Sequence, residues 1–250
     1  MRELIRLADG TAVATVAAEA FLKEIACLLE AKPEIHVSIT GGTLGILILA
    51  KIAEHPRCHD VAWNRVHIWW GDERFVSAES ADRNANQAKD ALLSKLALDP
   101  AKVHEFPAYD PTAGASIDEQ LDNAATAFAA EVAAYKAGQT QILFDITLLG
   151  MGPDGHIASL FPGHAIPAEG MSIVAEHDSP KPPPQRLTFT YEAMNAVDEL
   201  WFVVAGADKS PAVAVAFGDE PTRLPVGRVQ GAKKTIWFVD QTAGNETWGC

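Results

Sequence analysis

Residues 150–164 read Gly-Met-Gly-Pro-Asp-Gly-His-Ile-Ala-Ser-Leu-Phe-Pro-Gly-His and decide how the fold of this chain is interpreted. They follow the apolar run 144–149, which is typical of a buried strand. The glycines allow a tight turn and a close approach of the backbone to a ligand. We expect a helix to begin near His156, which would place a titratable side chain between a strand end and a helix start. This arrangement predicts an α/β active site.

The glycines at 150, 152 and 155 also match the dinucleotide-binding pattern G-x-G-x-x-G. That pattern requires a full crossover helix after it. Pro162 comes only six residues after His156, and proline stops a helix, so at most about two turns fit. The spacing therefore argues against a nicotinamide dehydrogenase.

Strand-like and helix-like segments alternate along the chain, which indicates an α/β fold with a mostly parallel sheet and helices on both faces. A length of 250 residues allows one large domain or two small ones. The strands are expected at 34–39, 66–70, 144–149, 186–189, 200–204 and 235–239. The helices are expected at 11–30, 44–54, 84–96, 117–135 and 210–217, with Asp82 or Asn84 capping the third of them.

The composition restricts the class of partner. A net charge of −13 argues against nucleic acid and against an anionic membrane surface, and it requires a local basic pocket for any anionic substrate. The three cysteines form no C-x-x-C pair, and the first residues lack the apolar core of a signal peptide. The apolar run near residues 44–50 is too short to span a membrane. We therefore expect a cytoplasmic protein.

Ligands of parallel sheets bind beyond the carboxyl ends of the strands. Five loops meet that description, namely 40–43, 71–75, 150–156, 190–195 and 205–209. In the first of them, backbone N–H groups of Gly41 and Gly42, a helix start and the hydroxyls of Thr40 and Thr43 suit an anion such as phosphate. The alternative is a capped strand-to-helix turn. The Walker pattern G-x-x-x-x-G-K-[ST] is absent.

The loop after the strand 66–70 carries Asp72, Glu73 and Arg74. Either Arg74 makes a strand-end salt bridge, or it clamps an anion while Asp72 or Glu73 orients a base or a sugar hydroxyl. Arg186 and Lys209 are either surface cations or phosphate ligands at the same sheet edge.

His156 is the candidate general base, because histidine titrates near neutrality. No H-E-x-x-H spacing is present, so no metal is expected. No G-x-S-x-G elbow supports a serine nucleophile, and Ser159 is expected to lie in a helix.

Five motifs together resemble the 6-phosphogluconolactonase family. They lie in the family's order at 39–43, 70–74, 150–163, 181–188 and 206–209. The resemblance implies hydrolysis of 6-phospho-D-glucono-1,5-lactone to 6-phosphogluconate in the oxidative branch of the pentose phosphate pathway. It also implies a Rossmann-like fold, taken here as a single domain over residues 1–250, and no cofactor. The chain departs from the family's usual S-G-G-S-T loop by carrying threonine at 40 and 43.

We expect His156 to deprotonate water, with Asp154 or Asp72 orienting its imidazole and Arg74 facing the oxyanion. The expected phosphate ligands are Thr40, Gly41, Gly42, Thr43, Arg186 and Lys209. Glu73, Asn84, Gly152 and Gly155 complete the expected substrate-binding set. Asn84 stands where the family usually has a Ser-Asn pair, and Arg83 is an additional cation beside it.

Two alternatives remain open. The related glucosamine-6-phosphate deaminase/isomerases continue the histidine motif with G-F-N-E-P, and their glutamate is missing from Ala158-Ser159-Leu160-Phe161-Pro162. A non-catalytic sugar-phosphate sensor would usually carry a helix-turn-helix module, for which the α/β pattern leaves no room. The expected partner is a small phosphosugar lactone, bound by a monomer or a weak homo-oligomer.

Overall fold

The structure is a computed structural model that describes residues 1–136 and 143–244. Its strands are β1 (Arg2–Leu7), β2 (Ile35–Ile39), β3 (Val66–Trp70), β4 (Asp72–Arg74), β5 (Phe144–Leu149), β6 (Ile173–Glu176), β7 (Arg186–Phe189), β8 (Val197–Val204) and β9 (Lys234–Asp240). Its α-helices are α1 (Gly10–Ala31), α2 (Gly42–Glu54), α3 (Asn84–Ala91), α4 (Ile117–Lys136), α5 (Tyr191–Asn195) and α6 (Ser210–Phe217).

Six parallel strands form the central sheet in the order β1-β9-β8-β5-β2-β3. Helices flank this sheet, so its inner strands are buried on both faces, and all six residues of β5 are buried. Trp69, Trp70, Trp201 and Trp237 are almost completely buried in the same core. The single-domain, Rossmann-like α/β fold expected from the sequence is confirmed.

A second, antiparallel sheet has the order β4-β7-β6. The expected strand at 186–189 forms, but it belongs to this small sheet rather than to the parallel one. Its register sets Asp72 opposite Thr188 and Arg74 opposite Arg186, so the charged residues after β3 are anchored by a hydrogen-bonded partner strand.

Other expectations need correction at element ends. The helix expected at 84–96 ends at Ala91 and continues as a 3₁₀ turn at Leu93–Lys95, and Arg83 rather than Asp82 or Asn84 occupies its N-cap position. In the described ranges 1–136 and 143–244, no helix combines the length and the apolar character needed to cross a bilayer.

Candidate active site

A cavity of about 480 Å³ opens at the carboxyl ends of the central strands. Four of the five expected loops contribute to its lining, those after β2, β3, β5 and β8. The fifth, 190–195, contributes no lining residue because it follows β7 of the small sheet and folds into α5. The strand-end rule therefore located the cavity, and it failed for the loop whose strand lies outside the parallel sheet.

The first wall of the cavity is the start of α2. Gly41 is its N-cap residue and Gly42 adopts a φ of +77°, and within residues 1–136 and 143–244 no side chain caps the first turn. The alternative interpretation, a threonine-capped turn, is therefore not what forms here. Thr40, Gly41, Gly42 and Thr43 all line the cavity. Free N–H groups at a helix N-terminus, with the positive end of the helix dipole, are a site for an anion.

Asn84 packs directly against this helix start. Its Nδ2 donates to the carbonyl of Asp72 at 2.9 Å, and its buried Oδ1 has no hydrogen-bond partner in the part of the chain that the structure describes. A Cβ on residue 41 would lie only 2.0 Å from that Oδ1, so only glycine allows this approach. The contact fixes the α2 loop against α3, and both line the cavity.

The loop after β5 is a turn and not the helix start that we expected. The N–H of Gly152 donates to the carbonyl of His156 at 2.9 Å, and the N–H of Gly155 donates to the carbonyl of Gly152 at 3.0 Å. Ala158 adopts a φ of +47°, which interrupts any helical continuation. Ser159 is therefore in irregular backbone, contrary to the expected helix.

The imidazole of His156 lies over Gly152 and beside Asp154. A Cβ on residue 152 would come within 2.0 Å of its Nδ1, so the ring needs a glycine there. Nδ1 is 2.5 Å from Oδ1 of Asp154, and the side chain is 13% exposed. A carboxylate accepts hydrogen bonds only, so Nδ1 carries the proton and Nε2 keeps its lone pair.

The electrostatic surroundings keep this histidine neutral. Burial lowers the pKa of His156, the positive charge of Lys181 acts in the same direction, and Asp154 opposes both. A neutral imidazole with a free Nε2 is the form that accepts a proton.

Asp72 lines the same cavity but has other partners than the imidazole. Its Oδ2 accepts a hydrogen bond from Ser159 Oγ at 2.6 Å and lies 3.9 Å from Arg186 Nη1. Of the two carboxylates considered as partners of His156, Asp154 is therefore the one in contact. The Ser159 hydroxyl is fully engaged as a donor to Asp72.

Glu73 does not line the cavity. Its buried carboxylate accepts hydrogen bonds from the backbone N–H groups of Arg74 at 2.8 Å, Asn84 at 2.7 Å and Ala85 at 2.9 Å. Burial raises the pKa of this group against the effect of those bonds. The carboxylate thus holds the start of α3, and sequence reasoning missed this because Asn84 lies eleven residues away.

Of the two arginines beside this carboxylate, only Arg74 lines the cavity. Its Nη1 donates to the carbonyl of Asp82 at 2.7 Å, and among the described residues it makes no ion pair. Arg83, expected as an extra cation, is instead buried, with Nη2 donating to the carbonyl of Phe106 at 2.6 Å.

Two lysines supply further positive charge at the cavity. Lys209 Nζ lies 2.9 Å from Asp208 Oδ2, and Lys181 enters the lining from the proline-rich segment. Burial lowers the pKa of Lys181, the negative charge of Asp154 opposes this effect, and the charges of Lys209 and Arg186 add to it. Lys181 was absent from our expected site, although it immediately precedes the prolines that lead to Arg186.

Two expected ligands lie behind the lining. Arg186 is 6% exposed and turns towards backbone carbonyls of its own loop, and Gly155 packs against the Leu224 side chain. In residues 1–136 and 143–244, no group of three or more His, Cys, Asp or Glu side chains is arranged to hold a metal ion.

A family model described as glucosamine-6-phosphate isomerases/6-phosphogluconolactonase matches residues 8–237. A Streptomyces coelicolor protein named 6-phosphogluconolactonase is 35% identical over 249 residues, which cover 98% of this chain and 94% of that protein. A Mycobacterium leprae protein of the same name is 37% identical over 238 residues, which cover 94% of each.

Solved structures agree with this match. The crystal structure of 6-phosphogluconolactonase from Thermotoga maritima superimposes with a TM-score of 0.79 at 28% identity, covering 96% of this chain and all of that one. The 6-phosphogluconolactonase from Trypanosoma cruzi has a TM-score of 0.84 at 22% identity and 99% coverage of this chain and 97% of that one, which indicates a shared fold.

Proposed function

The chain belongs to the family of glucosamine-6-phosphate isomerases and 6-phosphogluconolactonases, and we propose that it hydrolyses 6-phospho-D-glucono-1,5-lactone to 6-phosphogluconate. One observation carries this proposal: His156, bonded through Nδ1 to Asp154 and with a pKa lowered by burial, faces a cavity that is also lined by the uncapped start of α2 and by several cations. The names of the relatives support the same reaction.

The 6-phosphate binds at the start of α2. There the N–H groups around Gly42, the hydroxyls of Thr40 and Thr43 and the ammonium of Lys209 provide donors for a dianion. Holding the substrate by this remote group brings its lactone carbonyl to the imidazole and lowers the entropic part of the barrier.

His156 then acts twice. Its Nε2 accepts a proton from a water molecule while the water oxygen bonds to the lactone carbonyl carbon. The resulting oxyanion faces Arg74 and N–H groups of the loop after β5. As the bond between that carbon and the ring oxygen breaks, Nε2 returns its proton to the ring oxygen. Asp154 stabilises the transient imidazolium, and Asp72 accepts a hydrogen bond from a sugar hydroxyl.

The glucosamine-6-phosphate deaminase reaction is the competing assignment within the family. A monomeric glucosamine-6-phosphate deaminase shares the fold, with a TM-score of 0.72 at 15% identity over 96% of this chain. The glutamate of the G-F-N-E-P motif has no counterpart here, and Ser159 in this segment donates to Asp72 instead. The residues present thus favour lactone hydrolysis.

The first test follows lactone hydrolysis at near-neutral pH, with the spontaneous rate subtracted, for the wild type and His156→Ala. We expect kcat of the variant to fall by about 10²-fold or more, because the general base is removed. If His156→Ala accelerates hydrolysis as much as the wild type does, the protein is a lactonase but His156 is not its general base. If the wild type does not accelerate hydrolysis, the lactonase function is wrong, and deamination of glucosamine 6-phosphate and then ligand sensing are the functions to test next.

A second prediction concerns the phosphate site. Lys209→Ala should raise KM for the lactone about tenfold with a smaller change in kcat, because a bond to a charged group contributes about 1.5 kcal/mol or more. Lys89→Ala removes an ammonium paired with Glu105 outside the cavity lining and should leave KM at the wild-type value. A wild-type KM for the Lys209 variant would exclude that residue from the phosphate site.

A further inference from the structure

The guanidinium of Arg186 donates hydrogen bonds to backbone carbonyls of its own loop. Nε donates to the carbonyl of Pro183 at 3.1 Å, and Nη2 donates to the carbonyls of Lys181 at 3.0 Å and Pro182 at 3.3 Å. The remaining nitrogen, Nη1, lies 3.9 Å from Asp72 Oδ2. A planar fork that meets three successive carbonyls fixes the path of this backbone.

The residue at the start of that backbone is Lys181. Its side chain lines the cavity, and in the described part of the chain its ammonium forms no hydrogen bond or ion pair. Burial lowers the pKa of Lys181, the charges of Lys209 and Arg186 act in the same direction, and Asp154 opposes them. Lys181 is an exposed residue, and no hydrogen bond or ion pair within the described residues holds its ammonium in the lining, so its place there depends on the backbone that carries it.

Ser179 holds the same backbone from the other side. Its Oγ donates to the carbonyl of Lys181 at 3.0 Å and accepts from the N–H of Lys181 at 3.2 Å. Its own N–H donates to the carbonyl of Pro184 at 3.0 Å. The peptide groups of residue 181 are therefore fixed by two buried side chains, while the ammonium is left for a ligand.

We propose that Arg186 is a positioning residue that acts on the substrate only through Lys181, by holding the 181–183 backbone so that the Lys181 ammonium meets the anionic group of the substrate. The proposal rests on the lactonase function above for its substrate. It replaces the direct phosphate contact that the sequence suggested for Arg186.

A double-mutant cycle tests this relation between the two residues. Lys181→Met should raise KM about tenfold, since it removes one charged donor. Arg186→Lys keeps a positive charge but loses the fork, and it should raise KM by a similar factor. The double variant should show no larger KM than Lys181→Met alone. If the two factors multiply in the double variant, Arg186 acts on the substrate independently of Lys181, by direct contact or through Asp72, and the proposal fails.

Arg65 provides the matched control. Its guanidinium also meets three carbonyls, those of Pro33 at 2.7 Å, Leu29 at 2.9 Å and Lys32 at 2.6 Å, but beside the amino ends of β2 and β3. Arg65→Lys should lower the melting temperature and leave KM unchanged. A rise in KM for this variant comparable to that of Arg186→Lys would mean a general loss of order, and would overturn the proposal.

Ser179→Ala is the second variant, in case Arg186→Lys does not fold. It should raise KM only when Lys181 is present, and a rise that persists in the Lys181→Met background overturns the proposal.

If the wild type hydrolyses no lactone, the proposed function fails, and the same variants are compared for calorimetric binding of inorganic phosphate. The same non-additive pattern is then expected in Kd. Independent effects, or no phosphate binding by the wild type, would overturn the positioning role itself.

Discussion

The hydrogen bond between Asp154 and His156 decides which nitrogen of the imidazole is reactive, and it also sets how readily that ring is protonated. Burial lowers the pKa of His156 below its usual 6.5, and Asp154 is the main influence in the opposite direction. A base works in its neutral form, so activity should persist somewhat below pH 6.5 and fall as the pH drops through the lowered pKa.

Asp154→Asn should therefore have two effects. It should lower kcat by about tenfold or more, because the imidazolium formed in the reaction loses its carboxylate. It should also move the acid limb of the pH profile to lower pH, because the influence that raises the pKa is gone. Measurement of kcat/KM against pH checks both effects. Asp110→Asn, at an exposed carboxylate bonded to Thr112, is the control. A limb that moves to higher pH would contradict the assigned geometry.

The roles of residues whose partners are close along the chain could be predicted from the sequence. The roles of residues that depend on distant neighbours were predicted wrongly. Asp154 lies two positions from His156 on one turn, so their pairing was among the expected alternatives. Glu73 and Arg186 were expected at the substrate because they are charged and lie in or beside loops at the predicted edge of the sheet. Charge alone does not distinguish a ligand-binding group from one whose bonds are used by the chain's own N–H groups or carbonyls.

At the scale of elements, the short helix α3 depends on a carboxylate outside it. Glu73 accepts from the N–H groups of Asn84 and Ala85, which begin α3, and from that of Arg74. Glu73→Ala leaves three donors without their acceptor, two of them buried, so we expect a loss of about 2–3 kcal/mol in the free energy of unfolding. KM should rise as well, because Asn84 lines the cavity.

Urea unfolding and steady-state kinetics on the same protein preparation measure the two effects of Glu73→Ala. Asp9 caps α1 through a bond from the N–H of Ala12 at 2.8 Å, and it does not line the cavity. Asp9→Ala should cost about 0.5–2 kcal/mol and leave KM unchanged. A Glu73 variant that loses stability but keeps the wild-type KM would show that α3 does not position the site.

Elements with a strong apolar pattern were predictable, and elements made by pairing were not. The inner parallel strands, such as β5, are continuous apolar runs. β1 is a half-buried edge strand with Arg2, Glu3 and Arg6, and β4 is only the charged triplet Asp72–Arg74. Such strands exist because a neighbouring strand pairs with them, which no local propensity reveals.

At the scale of the whole molecule, the parallel sheet has a cluster of polar side chains at each of its two ends. The cavity occupies the carboxyl end, while His36 and His67 lie at the amino ends of β2 and β3 and stack with ring centroids 4.2 Å apart. His104 bonds to His67 through Nε2 and Nδ1 at 2.9 Å, and its ring stacks on Trp69 at 3.8 Å. Glu34 and Glu131 flank this pair of hydrogen-bonded rings. None of these residues lines the cavity.

His36 should make the stability of the molecule depend on pH. Burial lowers the pKa of His36 to about 4, the charges of His67, His104 and Lys32 add to that effect, and Glu34 opposes it. The unfolded chain keeps the ordinary value of 6.5, so between these two values it binds more protons than the folded chain. The contribution of His36 to the free energy of unfolding is therefore present above pH 6.5 and is lost as the pH falls towards 4.

A substitution at His36 isolates this contribution from that of the many carboxylates. In the folded protein Trp69 Nε1 donates to His36 Nδ1 at 3.2 Å, and the oxygen of a glutamine can accept the same bond without titrating. Between about pH 7 and 4.5 the wild type should lose roughly 2–3 kcal/mol more unfolding free energy than His36→Gln. Urea denaturation at both pH values measures the difference, with His59→Gln at an exposed histidine as the control. Equal losses in the wild type and His36→Gln would mean that His36 takes up its proton in the folded protein as readily as in the unfolded chain, and that its burial among aromatic rings does not disfavour the charge.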